Sequence, residues 1–272
     1  MRKDTFNIIQ FDSLNKDEDT FMPAHIESTG LWRELVEQDF FKDLLIQRIP
    51  MGESRYGGAI IDFPTSVKLP DLKKLSFVAQ IDCKEFARFD KNKMFPKSGY
   101  LYFFTNIKSK KGETIYFDGG VKSLERVFLK SSSQTWGTLN ILSNIRASKQ
   151  CWTDQFDKLF SDELKCVKCK TKNFLDCKCN NTGDLPYSRK EIVSREYVWS
   201  IFKISECSKV FGIYTDLQKE LKEIEKITFS NKIVLFQVGS DINTEGVFSV
   251  LIDRDHLKKL DFSKCEYVWS QT

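Results

Sequence analysis

"FVAQID", residues 77–82, and "VLFQVGSD", residues 234–241, are the segments on which the fold of this chain turns. Each is a short apolar run that ends in Gln and then Asp, Gln80 and Asp82 in the first and Gln237 and Asp241 in the second. Runs of this length, rich in β-favouring residues and bounded by polar turns, predict buried strands. In each case a glycine then opens a second strand, Gly99 in "SGYLYFFTN" (98–106) and Gly246 in "EGVFSVLID" (245–253). The first segment carries "CKEFARFDKNKMFPK" (83–97) between its two parts. The echo reads either as an internal duplication, each half giving a similar strand unit to one core, or as chance similarity between two strand-turn-strand segments.

Working outward, residues 1–27 lack a clean periodicity and read as a loose lead-in. "STGLWRELVEQDFFKDLLIQRI" (28–49) has the spacing of an amphipathic helix ended by Pro50. Gly57 and Gly58 mark a turn, and "GETIYFDGG" (112–120) predicts a further strand. "CWTDQFDKLFSDEL" (151–164) predicts a helix opened by Cys151 and capped by Thr153. In "YTDLQKELKEIEK" (214–226), Thr215 and Gln218 have capping-box spacing, and Leu217, Leu221 and Ile224 form an apolar stripe. "DRDHLKKLDF" (253–262) predicts a last helical turn or two.

These elements predict an α+β fold: an internally duplicated, strand-rich domain with a few peripheral helices and a small cysteine-rich insertion. The expected organisation is a lead-in (1–27), a first half (28–150), a helix with the insertion (151–190) and a second half (191–272), all in one compact domain.

Composition narrows the function classes. The chain has 272 residues, 41% hydrophobic and 29% charged, with 23 phenylalanines and a net charge of +4. That balance is ordinary for a globular protein, and the charge is too small to imply nucleic acid or a membrane surface. No apolar run approaches the roughly 20 residues of a membrane span, and the N-terminus turns acidic too early for a secretory signal. A cytoplasmic protein is expected. In that compartment Cys83, Cys207 and Cys265 read as small buried thiols.

Four more cysteines are clustered. Cys166, Cys169, Cys177 and Cys179 follow C-x2-C-x7-C-x-C in a segment with only three apolar residues, Val167, Phe174 and Leu175, too few for a core. Zinc takes four such thiolates in a tetrahedron. Lys165, Lys168, Lys170, Lys172 and Lys178 would offset the thiolate charge. Structural zinc is the leading reading, beside a reduced or redox-active thiol hairpin and an iron–sulfur site. The same lysines could neutralise phosphates, but only Phe174 could stack on a base.

Catalytic signals are sparse. His25 and His256 have no nucleophile pattern beside them, and no P-loop, dinucleotide fingerprint or nucleophile elbow occurs. Asp82 and Asp241 end the paired strands, where a duplicated fold could bring two carboxylates together as a cation site or an acid–base pair. The plainer reading is that each caps a turn or helix, and that Gln80 and Gln237 are core amides bonded to backbone.

The order of "SRYGG", "LSFVAQID", "FPKSGYLYFF", "SKVFGIYTDLQ", "IVLFQVGSD" and "EGVFSVLIDRDHLKKLDFSKCEYVWS" resembles the YwqG-like family of bacterial domains of unknown function. The resemblance covers roughly residues 28–130 and 205–270. It implies an α+β fold with internal duplication and no established reaction. This chain departs from the family pattern at Ser208, where the family has His, at Ile213-Tyr214, where it has Tyr-Pro, and at Asn243-Thr244-Glu245-Gly246, which replaces its Trp-Gly-Asp. A ligand bound through those positions would be lost. The expected function is a non-catalytic binding or interaction protein with an unidentified protein partner, of which an immunity-type role is the narrower form. The alternatives are a zinc-containing nucleic-acid binder and a metal-dependent hydrolase using Asp82 and Asp241.

Overall fold

A computed structural model describes residues 3–14, 49–58, 60–130, 132–136, 139–153, 207–242 and 246–271. The expected helix at 28–49 lies almost wholly outside them, as do most of the one at 151–164 and all four clustered cysteines.

The described strands are β1 (Lys3–Leu14), β2 (Arg55–Tyr56), β3 (Ile60–Pro64), β4 (Ser76–Asp82), β5 (Tyr100–Asn106), β6 (Lys111–Phe117), β7 (Leu124–Phe128), β8 (Asn140–Thr153), β9 (Lys209–Val210), β10 (Lys232–Val238), β11 (Val247–Asp253) and β12 (Glu266–Ser270). The described α-helices are short: α1 (Cys83–Ala87), α2 (Leu221–Thr228) and α3 (Arg254–Lys258). None of the described helices is long and apolar enough to cross a membrane.

Ten strands form one sheet in the order β12-β11-β10-β9-β1-β8-β2-β4-β5-β6, and β3 with β7 form a separate ribbon. Neighbouring strands within each sheet run antiparallel. The large sheet curls until its edge strands meet, where Thr114 Oγ1 on β6 and Tyr267 Oη on β12 are 2.7 Å apart. This corrects the expected α+β architecture of two related halves. The protein is a strand-rich, nearly closed antiparallel barrel. The echoing segments, β4–β5 and β10–β11, lie in one continuous sheet, joined through β1 and β8.

The lead-in reading changes with it. Lys3–Leu14 is a central strand whose partner in β8 runs from Lys3↔Thr153 to Leu14↔Ile141. A bulge between Gln10 and Asp12 breaks its alternation, which hides the strand pattern. Ile9 and Phe11 nevertheless enter the main core. The same pairing draws Cys151–Thr153 into β8, where a helix start was expected; Trp152 is buried and packs on Phe229.

β5 shows why the barrel reads as a solid apolar run. Leu101 and Phe103 point into the barrel, while Tyr100, Tyr102 and Phe104 pack outward beneath the β3–β7 ribbon. A strand covered on both faces has no polar side to display. On the opposite wall, Ile224 and Ile227 of α2 cover Tyr214, Val234 and Leu251.

The interior is an aromatic stack. Phe236 of β10 lies nearly parallel to Phe103 of β5 at 4.9 Å and to Phe11 of β1 at 5.6 Å between ring centroids. It thereby links three strands that are not sequence neighbours. Removing a fully buried ring costs about 3–5 kcal/mol, through lost transfer free energy and the cavity left behind. Phe236→Ala should lower unfolding stability by about that amount, measured by equilibrium urea denaturation.

The expected capping box of the 214–226 helix does not form. α2 begins at Leu221 with Glu220 as its N-cap, without a side-chain capping bond. Thr215 Oγ1 instead lies 3.5 Å from the buried Lys209 Nζ, and the Gln218 N–H donates to Asp216 Oδ1 at 3.0 Å. Lys209 and the side chain of Asp216, two residues before Gln218, have claimed both groups.

Candidate functional site

Two polar constellations sit where short strands cross the barrel wall. β2 places Arg55 opposite Gln80 of β4, and β9 places Lys209 opposite Gln237 of β10. Arg55, Lys209, Gln80 and Gln237 are all fully buried.

Around Arg55 the charge is closely matched. Its Nη2 lies 2.8 Å from Asp62 Oδ2, and both side chains are inaccessible to solvent. Asp62 also accepts from Arg126 Nε at 2.7 Å and Arg126 Nη2 at 3.0 Å, and from the Gly52 N–H at 2.8 Å. Gln80 Oε1 accepts from Arg55 Nη2 at 3.2 Å and from the Asp62 N–H at 2.8 Å, and Gln80 Nε2 donates to the Glu53 carbonyl at 3.2 Å. The Tyr102 hydroxyl donates to the Asp62 carbonyl at 2.7 Å. Burial pushes the Asp62 carboxyl up, but hydrogen bonds from Arg126, the Arg55 charge and the Gly52 N–H outweigh it and hold the pKa below the ordinary range.

Each constellation also contains a serine–carboxylate pair. Ser54 Oγ donates to Glu85 Oε2 and accepts from the Asp82 N–H at 2.9 Å. Ser208 Oγ donates to Asp241 Oδ1 at 2.6 Å and accepts from the Gly239 N–H at 3.0 Å. The Ser208 N–H is shared between both Asp241 oxygens, at 3.0 and 2.9 Å. Burial pushes the Asp241 carboxyl up, against the Ser208 hydrogen bonds.

The four residues singled out from the echo are therefore in structural employment. Asp82 is the N-cap of α1, accepting from the Lys84 N–H at 2.9 Å, and Asp241 fixes the chain at Ser208. Gln80 bridges Arg55 and backbone; Gln237 Nε2 donates to the Cys207 carbonyl at 2.8 Å and its Oε1 accepts from Ser249 Oγ at 3.3 Å. Glu53, Asp82 and Glu85 lie near one another, Glu53 beside Arg55, and burial is the leading cause that raises each carboxyl. Burial, then Asp82, Asp62 and Glu85, lifts the neighbouring Tyr100 phenol to about 12. Among the described residues, no group of three or more His, Cys, Asp or Glu side chains is arranged to hold a metal ion. His256 Nδ1 lies 2.9 Å from Asp261 Oδ2, and His25 is outside the described residues.

Sequence reasoning missed Arg55, Asp62, Arg126 and Lys209. For Arg55, Asp62 and Lys209 the signal was a charge inside an otherwise apolar strand context, in "SRYGGAIIDFP" and "SKVFG"; Arg126 lies in "LERVF" (124–128). It also missed a cleft of about 390 Å³ where β6 and β12 meet without strand pairing. Tyr116, Phe262 and Tyr267 give it aromatic walls, and Glu113, Thr114 and Ser263 give it a polar rim. Gly112 is required here: a Cβ on it would lie 2.6 Å from the Tyr267 ring. Burial keeps the Tyr267 phenol protonated far above neutral pH.

A protein-family model described as a domain of unknown function (DUF1963) matches residues 54–270. The match begins at Ser54 and spans both constellations and the cleft, while β1 precedes it. Among curated proteins, none matches the chain.

Removal of the Asp62 charge strands two guanidinium groups, one fully buried. Asp62→Asn should cost about 3–5 kcal/mol at neutral pH, as expected when one partner of a buried ion pair is lost. Because the folded pKa of Asp62 lies below its unfolded value, its contribution is complete above the unfolded pKa and is lost as pH falls through the folded one. The wild type should lose this increment on acidification below about pH 4, and the Asn variant should not, as urea midpoints across pH would show.

Proposed function

The chain belongs to the DUF1963 family, and we propose that it is a non-catalytic binding protein whose protein partner seats in the cleft between β6 and β12. The observation that carries this reading is the seam itself. β6 and β12 are the two ends of the strand order, each hydrogen-bonded to one strand among those described. The cleft between them, about 390 Å³, combines aromatic walls with a polar rim. Such a place accepts one or two side chains of an extended segment, while a free strand edge offers backbone groups for pairing. Catalysis by Asp82 and Asp241 has no such support, since both carboxylates are committed to backbone and serine partners.

Three finer readings belong to this proposal. Attribution to the YwqG-like group rests on the order of its segments, and an immunity-type role is its narrowest form. A cytoplasmic setting is supported by Cys83 and Cys265, which are free thiols. Structural zinc at Cys166, Cys169, Cys177 and Cys179 is supported by their spacing alone.

Glu113 is exposed, and a tryptophan there would fill the cleft from its rim. The immobilised full-length chain should capture a protein from the lysate of its native cell. Glu113→Trp should cut the recovery at least tenfold at unchanged Tm. Equal recovery by the variant, or no capture by the wild type, would refute the cleft as the binding place.

The zinc reading is tested separately. Purified protein should contain about one zinc per chain, as a four-thiolate site requires, released by a mercurial reagent. Protein isolated without metal and with all four of these thiols alkylatable would sink it.

A further inference from the structure

A second cavity, of about 220 Å³, opens between β1, the turn after α1, the Phe211-Gly212 turn, and the first residues of β10 and α3. Its lining shares no residue with the seam cleft. Two cations, Lys232 and Arg254, line it, and no acidic residue does.

The two cations are not equivalent. Lys232 Nζ lies 2.5 and 2.6 Å from the two carboxylate oxygens of Glu266 and is neutralised there. Among the described residues, no carboxylate pairs with Arg254. Among the described residues its guanidinium contacts only Met94, with Nη1 3.8 Å from the thioether sulfur. Arg55, Arg126 and Arg146, by contrast, each lie against a carboxylate, at 2.8, 2.7 and 2.8 Å. Arg254 is half-buried, so the missing counter-charge falls where solvation is reduced. Asn7 and Asn92, polar residues without charge, also line the cavity.

The wall opposite is a fixed backbone turn. Phe211 has φ +67° and Gly212 φ +91°, both left-handed. A Cβ on Gly212 would lie 2.3 Å from Gln150 Oε1, which accepts the Ile213 N–H at 2.9 Å. The cavity is thus bounded by a turn that its neighbours hold in place.

We propose that this cavity is a binding site for a small oxyanion, a carboxylate or phosphate group, held by the Arg254 guanidinium with Asn7 and Asn92 beside it. A guanidinium fork presents paired N–H donors that match the two oxygens of either group. The volume lies below the roughly 300–1,000 Å³ of drug-sized sites, which restricts the ligand to a short-chain organic acid or a phosphate monoester. The site is independent of the seam cleft and stands or falls apart from it.

The test uses full-length protein, with inorganic phosphate and succinate titrated separately at constant ionic strength and followed by amide NMR. The resonances of Gly212 and Ile233 should shift saturably with at least one of the two. A response to phosphate alone assigns a phosphate ligand; a response to succinate alone assigns a carboxylate. Arg254→Gln should weaken the response at least tenfold, and Arg254→Lys should weaken it less. Asn92→Asp, at an exposed position, places a negative charge in the lining and should abolish the response even if the arginine variants fold poorly. Glu113→Trp should leave it unchanged. No saturable shift with either anion, or the same shift in Asn92→Asp, would overturn the proposal.

Discussion

Asp62 sets the terms for one wall of the barrel. A guanidinium buried as deeply as Arg55 is tolerable only with a carboxylate against it; its Nη2 meets Asp62 and Gln80 and its Nε donates to the Ile60 carbonyl, while Nη1 has no partner among the described residues. Asp62 comes from β3, not from the sheet that carries Arg55, so the ion pair is also a tether. Arg126 of β7 grips the same carboxylate, and both strands of the ribbon are thereby pinned over β4 and β5. Only with the ribbon in place are Tyr102 and Phe104 covered, with Phe63 4.9 and 6.2 Å from their rings. The electrostatic contact and the outer aromatic layer therefore depend on each other. A buried ion pair is seldom a net source of stability; its effect here is to specify one position for the ribbon.

The other wall is built differently. Lys209 occupies the register position that Arg55 has on β2, facing a buried glutamine. There the outer layer is the Tyr214 segment and α2, and Tyr214 Oη donates to the buried Asp216 at 2.7 Å. A ribbon and a helix thus perform the same covering task on two sides of one sheet. With both outer faces covered and the interior filled by rings, the seam between β6 and β12 is where the wall fails to close by strand pairing. Tyr267 fills the gap beside Gly112 and reaches Thr114 with its hydroxyl. A side chain supplies the contact that backbone hydrogen bonds supply elsewhere, and it leaves a cleft.

What the sequence discloses follows from where the physics is local. β4, β5, β10 and β11 are legible because strands covered on both faces are apolar without interruption. β1 is not, because its bulge shifts the alternation midway and its partner β8 lies more than a hundred residues away. The start of α2 is misread because Lys209 and Asp216 take the groups a capping box would use. In the site, Gln80 and Gln237 stand out through the echo, and their plainer reading as core amides describes them. Their cationic neighbours are invisible to pattern, since a charge within a short strand looks like a surface residue until Asp62 is brought to it from another sheet. Both clefts arise from pairs of distant elements, and no local spacing encodes them.

The distribution of unmet bonding capacity separates the structural polar groups from those available to a ligand. At the constellations, carboxylate, amide and hydroxyl are matched against one another, Arg55 Nη1 is unmet but sealed from solvent, and binding there would first have to break those contacts and open the core. A buried group already satisfied gives a ligand nothing to gain, because exchange of one hydrogen bond for another leaves only the cost of opening the core. The surface cavities are the reverse case. At the seam, apolar ring surface stands next to strand edges, and at the β1 cavity a guanidinium stands without a paired carboxylate among the described residues. In the proposed reading, recognition belongs to these surface cavities, while the echoing Gln and Asp residues hold the β2–β4 and β9–β10 crossings of the barrel wall together.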